Sequence, residues 1–117
     1  MTWYLAKLVY RIVCGKGDHT AQFDEQLRLI LANSREEALK KGLVIGQQEA
    51  DEFYNQKQQL VCWRFINIAE LYEMDELIDG AELYSSIREV EQADAYISFV
   101  NHKAACLEET RYSHYSI

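Results

Sequence analysis

The sequence predicts an α+β fold: an antiparallel sheet of about four strands, with two amphipathic helices packed on one face to bury its apolar side. Three observations carry this expectation. Alternating apolar runs open the chain, apolar residues at three- and four-residue spacing follow a capping signal, and a third apolar run is rich in β-branched and aromatic residues.

From Trp3 to Val13 the chain alternates. Tyr4, Ala6, Leu8, Tyr10 and Ile12 share one face, and Trp3, Leu5, Lys7, Val9 and Arg11 share the other. Gly15, Gly17 and Asp18 supply a turn, and Phe23, Glu25, Leu27, Leu29 and Leu31 mark a second alternating run, so the pair reads as an antiparallel hairpin. Ser34 with Glu37 forms a capping box that opens a helix. Its stripe of Leu39, Gly42, Leu43, Gly46, Ala50, Phe53 and Tyr54 extends the expected helix to about Asn55. Gly42 and Gly46 make a G-x-x-x-G pair, which permits close approach of the helix to the sheet or to another subunit. Leu60 to Ile68 reads as a central strand, and Asp79-Gly80 as a turn before a further strand over Leu83 to Val90. Ala93, Tyr96, Phe99, Val100, Lys103 and Leu107 recur at helical spacing and predict a second helix. The expected order is strand, strand, helix, strand, strand, helix in a single domain over 3–109, with a loose tail over 110–117.

Composition narrows the function classes. The 117 residues include 49% hydrophobic and 12% aromatic side chains, enough apolar surface for a folded chain. Nineteen acidic against 12 basic residues give a formal charge of −7, a field that repels phosphate backbones and argues against nucleic acid as a partner. No apolar run approaches the ~18 residues of a membrane span. Cys14, Cys62 and Cys106 are odd in number, far apart and preceded by no secretory segment, which points to a reducing, cytoplasmic setting.

The residues WYLAKLVYR at the start, FDEQLRLI on the second strand and DGAELYS after the acidic segment resemble those of a bacterial family, domain of unknown function 4288, over about Trp3 to Ser86. The resemblance implies a bacterial cytosolic protein and brings no activity with it.

Two constellations are candidates for binding. On the hairpin, Lys7, Arg11, Asp24 and Gln26 combine guanidinium, ammonium, carboxylate and amide groups that can hold an anionic or amide-bearing ligand; cross-strand ion pairs explain the same residues. From Phe65 to Ile87 there are acids and no Lys or Arg. Glu70, Tyr72, Glu73, Asp75, Glu76 and Asp79 are interleaved with apolar anchors there, a composition suited to a basic protein partner; a core stripe with a solvated acidic face is the commoner source of such a pattern.

Catalytic, metal and cofactor signals are weaker. His102 and Cys106 stand four apart on the second helix and could share a face, but buried packing accounts for such a cysteine more often than nucleophilic chemistry. No C-x-x-C or H-x-x-x-H pair supports zinc, no EF-hand order supports calcium, and Gly15-Lys16-Gly17 lacks the spacing of a phosphate loop. No catalytic residue, metal or cofactor is therefore assigned. The expected function is non-catalytic binding of a basic protein partner by an antidote-like regulator. The alternative is a small-molecule binder or minor enzyme using the charged sheet face, with a homodimer as a further expectation.

Overall fold

The computed structural model describes residues 1–109; the expected tail over 110–117 lies outside the described residues. The chain forms two compact units, Met1–Leu83 and a second beginning at Tyr84.

The first unit holds strands β1 (Thr2–Cys14) and β2 (Gln22–Ala32), helix α1 (Arg35–Gln48), and strands β3 (Asp51–Tyr54) and β4 (Leu60–Glu73). They make a four-stranded antiparallel sheet in the order β2-β1-β4-β3, so with the helices the architecture is α+β. The hairpin forms in the expected place. Its register sets Tyr4 opposite Ile30, Leu8 opposite Gln26 and Arg11 opposite Phe23. Gly15 and Gly17 take the positive φ values of 60° and 79° that the connection requires. β1 also pairs with β4, with register shifts between Lys7 and Leu8 and between Val9 and Tyr10.

Alternation along β1 decides which face is covered. Tyr4, Ala6, Leu8 and Tyr10 are buried together with Ile30, Ala32 and Ala38, and Ile45, Trp63, Phe65, Ile68 and Leu71 pack against them. α1 lies over this face. Its start follows the capping signal, with the Ser34 hydroxyl accepting from the Glu37 amide at 3.1 Å. Its two glycines set how closely it lies: a Cβ on Gly42 would stand 2.5 Å from Ile68 Cδ1, and one on Gly46 would stand 2.4 Å from the Phe65 ring. The close approach that the glycine pair predicts is therefore made to the sheet.

Three expectations are corrected. α1 stops at Gln48, not near Asn55, and Phe53 and Tyr54 belong to β3, where they pair with Val61 and Leu60. The apolar stripe misleads because Ala50, Phe53 and Tyr54 continue its three- and four-residue spacing, while pairing with β4 draws Asp51–Tyr54 into the sheet. The central strand runs to Glu73, beyond Ile68. Leu83 to Val90 forms no strand; alternation supplies a face, but a strand also needs a neighbour to take its backbone hydrogen bonds. Of the two strands that follow α1, β4 contains the expected Leu60 to Ile68, and β3 is the one not expected.

The second unit contains helix α2 (Ala93–Leu107), in the expected place. Gln92 occupies its N-cap position without a side-chain capping bond, and none of its residues is buried. Lys103 Nζ lies 5.3 Å from the centre of the Phe99 ring, one turn away.

Candidate functional site

The register separates the predicted ligand residues. Lys7 and Arg11 project from the sheet face opposite α1, whereas Asp24 and Gln26 stand opposite Tyr10 and Leu8 on the helix-covered face. Lys7 is bracketed by Glu25 at 3.2 Å and Glu70 at 2.7 Å, one carboxylate from each neighbouring strand. The Glu70 carboxyl lies below its ordinary range because Lys7 and then the Tyr72 hydroxyl hydrogen-bond to its charged form.

On the helix side a polar chain runs from Asp24 through Gln26 to Arg28 and Glu49. The Gln26 amide donates to Asp24, and its oxygen accepts from Arg28 Nε at 3.1 Å and Nη2 at 2.8 Å. Arg28 grips Glu49, the C-cap of α1, at 2.7 Å and 2.8 Å. Beside this chain the Tyr10 hydroxyl donates to the Gly46 carbonyl at 3.0 Å. Burial, and then the Glu49 carboxylate, raises the Tyr10 phenol above its ordinary value. The Asp24, Gln26 and Arg28 side chains are hydrogen-bonded along β2, and Arg28 ties that strand to the end of α1. Glu49 is 21 residues from Arg28 and no sequence spacing announces it.

A cleft of about 530 Å³ opens between the end of α1 and the β3–β4 edge, lined by Gln47, Ala50, Asp51, Glu52, Trp63 and Arg64 among others. At the hairpin end, Cys14, His19, Asn55 and Gln59 gather. The Cys14 amide donates to His19 Nε2 at 3.0 Å, and the Cys14 thiol donates to Gln59 Oε1 at 3.4 Å and accepts from Asn55 Nδ2 at 3.5 Å. This arrangement commits the imidazole nitrogen to a backbone amide rather than to the thiol. In α2, His102 Nε2 and Cys106 Sγ lie 3.8 Å apart, on one side of the helix as their spacing suggests. Among the described residues, no group of three or more His, Cys, Asp or Glu side chains is placed to hold a metal ion.

The acidic segment forms the hollow with the most distinctive lining. Beyond the end of β4 the chain continues with Met74 donating its amide to the Trp3 carbonyl at 2.9 Å, and it then turns at Asp79-Gly80, where Gly80 has φ 85°. The resulting hollow, about 330 Å³, is lined by Tyr72, Glu73, Met74, Asp75, Glu76, Ile78, Ala81, Glu82 and Leu83. Four of the predicted partner residues meet here: Tyr72, Glu73, Asp75 and Glu76. Glu82 joins them. Glu70 remains on the sheet with Lys7, and Asp79 sits at the turn outside the lining. Met74 is 7% exposed, and its amide hydrogen bond to Trp3 ties the hollow to β1.

No helix among the described residues is long and apolar enough to cross a membrane. Comparison with curated proteins and with solved structures gives no match. A family model described as a domain of unknown function, DUF4288, matches residues 3–85. That span takes in the whole sheet, α1 and the acidic hollow and ends short of α2. The chain belongs to the DUF4288 family.

Proposed function

We propose that this chain is a non-catalytic binding domain that captures a basic protein partner through the acidic hollow between Tyr72 and Leu83, in the manner of an antidote-like regulator. The observation that carries the reading is the chemistry of that hollow: Glu73, Asp75, Glu76 and Glu82 line it together with the apolar Met74, Ile78, Ala81 and Leu83. A lysine or arginine side chain fits such a place, with its methylene stem on the apolar lining and its charged head among the carboxylates. The net charge of −7 favours the approach of a basic partner over long range.

The small-molecule alternative, as the sequence frames it, needs Lys7, Arg11, Asp24 and Gln26 on one face. Their division between two faces removes that particular support.

Affinity capture from host lysate at low and moderate salt, using the native chain and a Glu73→Lys, Asp75→Lys, Glu76→Lys variant, tests the reading. The expected result is one stoichiometric, salt-sensitive basic partner that the variant loses. Thermal stability should not fall, because all three side chains are exposed and the substitutions reduce the net negative charge. Equal capture by the variant would remove the hollow from the function.

A further inference from the structure

Four basic residues stand on the strands, and the sheet treats them unequally. Lys7 lies between Glu25 and Glu70, and Arg28 is paired with Glu49. Arg11 and Arg64 are directly opposite each other across the β1–β4 ladder, both exposed, and neither has an ion pair or a side-chain hydrogen bond among the described residues. Like charges in directly opposed positions destabilise a sheet. In a chain of net charge −7 there are carboxylates enough to neutralise both. The nearest by register stand one row away on either side: Glu25 is paired with Lys7 at 3.2 Å, and Glu52, which receives the Cys62 thiol at 3.8 Å, makes no ion pair with Arg64.

The row continues across the sheet. Phe23 of β2 is opposite Arg11 on its other side, so Phe23, Arg11 and Arg64 form one cross-strand row, at whose β4 end Arg64 also borders the cleft beside β3. The Phe23 side chain is 54% exposed. Two arginines on directly opposed positions can present their guanidinium N–H donors together to a dianionic oxyanion, and Phe23 in the same row can offer a stacking or apolar contact to a group attached to it.

We propose that Arg11 and Arg64 form a binding site for a small phosphate monoester carrying an aromatic or apolar group, with the phosphate across the two guanidinium groups and the appended group on Phe23. The site is separate from the acidic hollow and does not depend on the basic-partner reading. The bound dianion relieves the repulsion between the two arginines, which accounts for their unneutralised state in the free chain. A monoanionic carboxylate neutralises only one of them and binds more weakly.

Calorimetric titration of the full chain with phenyl phosphate, inorganic phosphate, benzoate and phenol, at constant ionic strength, tests the proposal. Phenyl phosphate should bind best, inorganic phosphate and benzoate more weakly, and phenol not at all. Arg64→Gln and Arg11→Gln should each weaken phenyl phosphate binding roughly tenfold or more, whereas Lys40→Gln on α1 should leave it unchanged. Thermal unfolding supplies a second readout that a purely structural role predicts in the opposite sense. Without ligand, each arginine variant should melt at the same temperature as the native chain or higher, because a like-charge contact is removed. Absence of phenyl phosphate binding, equal binding by the arginine variants, or tighter binding of benzoate would overturn the proposal. Lower melting temperatures for both arginine variants would overturn its electrostatic basis.

Discussion

Tyr10 shows at the scale of one residue how the sheet holds its helix. The last carbonyls of a helix lack intrahelical partners. Near the end of α1 the Ala50 amide turns to Gln47, leaving the Gly46 carbonyl to the Tyr10 hydroxyl at 3.0 Å. The Tyr10 ring also packs on Phe65 at 5.4 Å and on Trp63 at 6.4 Å. Tyr10→Phe should keep the rings packed and leave the carbonyl without its donor, costing about 1–3 kcal/mol in urea unfolding; no loss would mean that water replaces the hydroxyl freely. The raised phenol pKa has a definite sign. Because the folded state favours the neutral form, the contribution of Tyr10 is complete below the ordinary tyrosine range near pH 10 and is lost as pH rises through the higher folded value. The native chain should therefore lose stability above about pH 10 more steeply than Tyr10→Phe. Parallel alkaline curves for the two proteins would contradict this.

At the scale of elements, α1 depends on its two glycines in different degrees. A methyl group on Gly46 meets the Phe65 ring at 2.4 Å, and that ring is held against Tyr10. A methyl group on Gly42 meets the terminal Cδ1 of Ile68, which can rotate away. Overpacking costs about 1–3 kcal/mol, while alanine regains up to about 1 kcal/mol of helix propensity. Gly46→Ala should accordingly be destabilising by about 1–2 kcal/mol and Gly42→Ala by less, compared by urea midpoints. The reverse ranking would mean that α1 is not seated as described. Much at this scale is legible in the sequence: the hairpin from its alternation and its glycines, the start of α1 from Ser34 and Glu37, and α2 from its spacing. The boundary between α1 and β3 is not, because Ala50, Phe53 and Tyr54 keep the helical spacing of the stripe, and only the pairing of Phe53 and Tyr54 with Val61 and Leu60 reveals the strand. Leu83 to Val90 fails for the complementary reason: its alternation describes a possible strand but cannot supply a neighbour.

At the scale of the whole molecule, charge is the dominant global property. The ion pairs of Lys7 and Arg28 involve partly exposed groups, and such pairs contribute little. Self-repulsion from a net charge of −7 is expected to outweigh them. Raising sodium chloride from about 0.01 M to about 0.15 M, which shortens the screening length from about 30 Å to about 8 Å, should raise the melting temperature. A fall would mean that attractive pairs dominate. The same field favours a basic partner for the acidic hollow and opposes an anion at Arg11 and Arg64. Binding at those arginines therefore rests on short-range paired hydrogen bonds and should strengthen less with dilution of salt than a long-range attraction would.

The sequence by itself determined the α+β class, the hairpin, the positions where both helices begin, the acidic character and the family, since these depend on local periodicity, turn and cap chemistry, and composition. Tertiary structure alone decided which side chains share a face across different strands. Alternation says that Arg11 and Lys7 lie together on β1 and that Asp24 and Gln26 lie together on β2. It cannot say which pair faces the helix until register sets Tyr10 opposite Asp24, Arg11 opposite Phe23, and Arg11 opposite Arg64. A one-residue change of register exchanges the faces of a strand, so the predicted ligand set divides and the unpaired arginine row appears only when the strands meet.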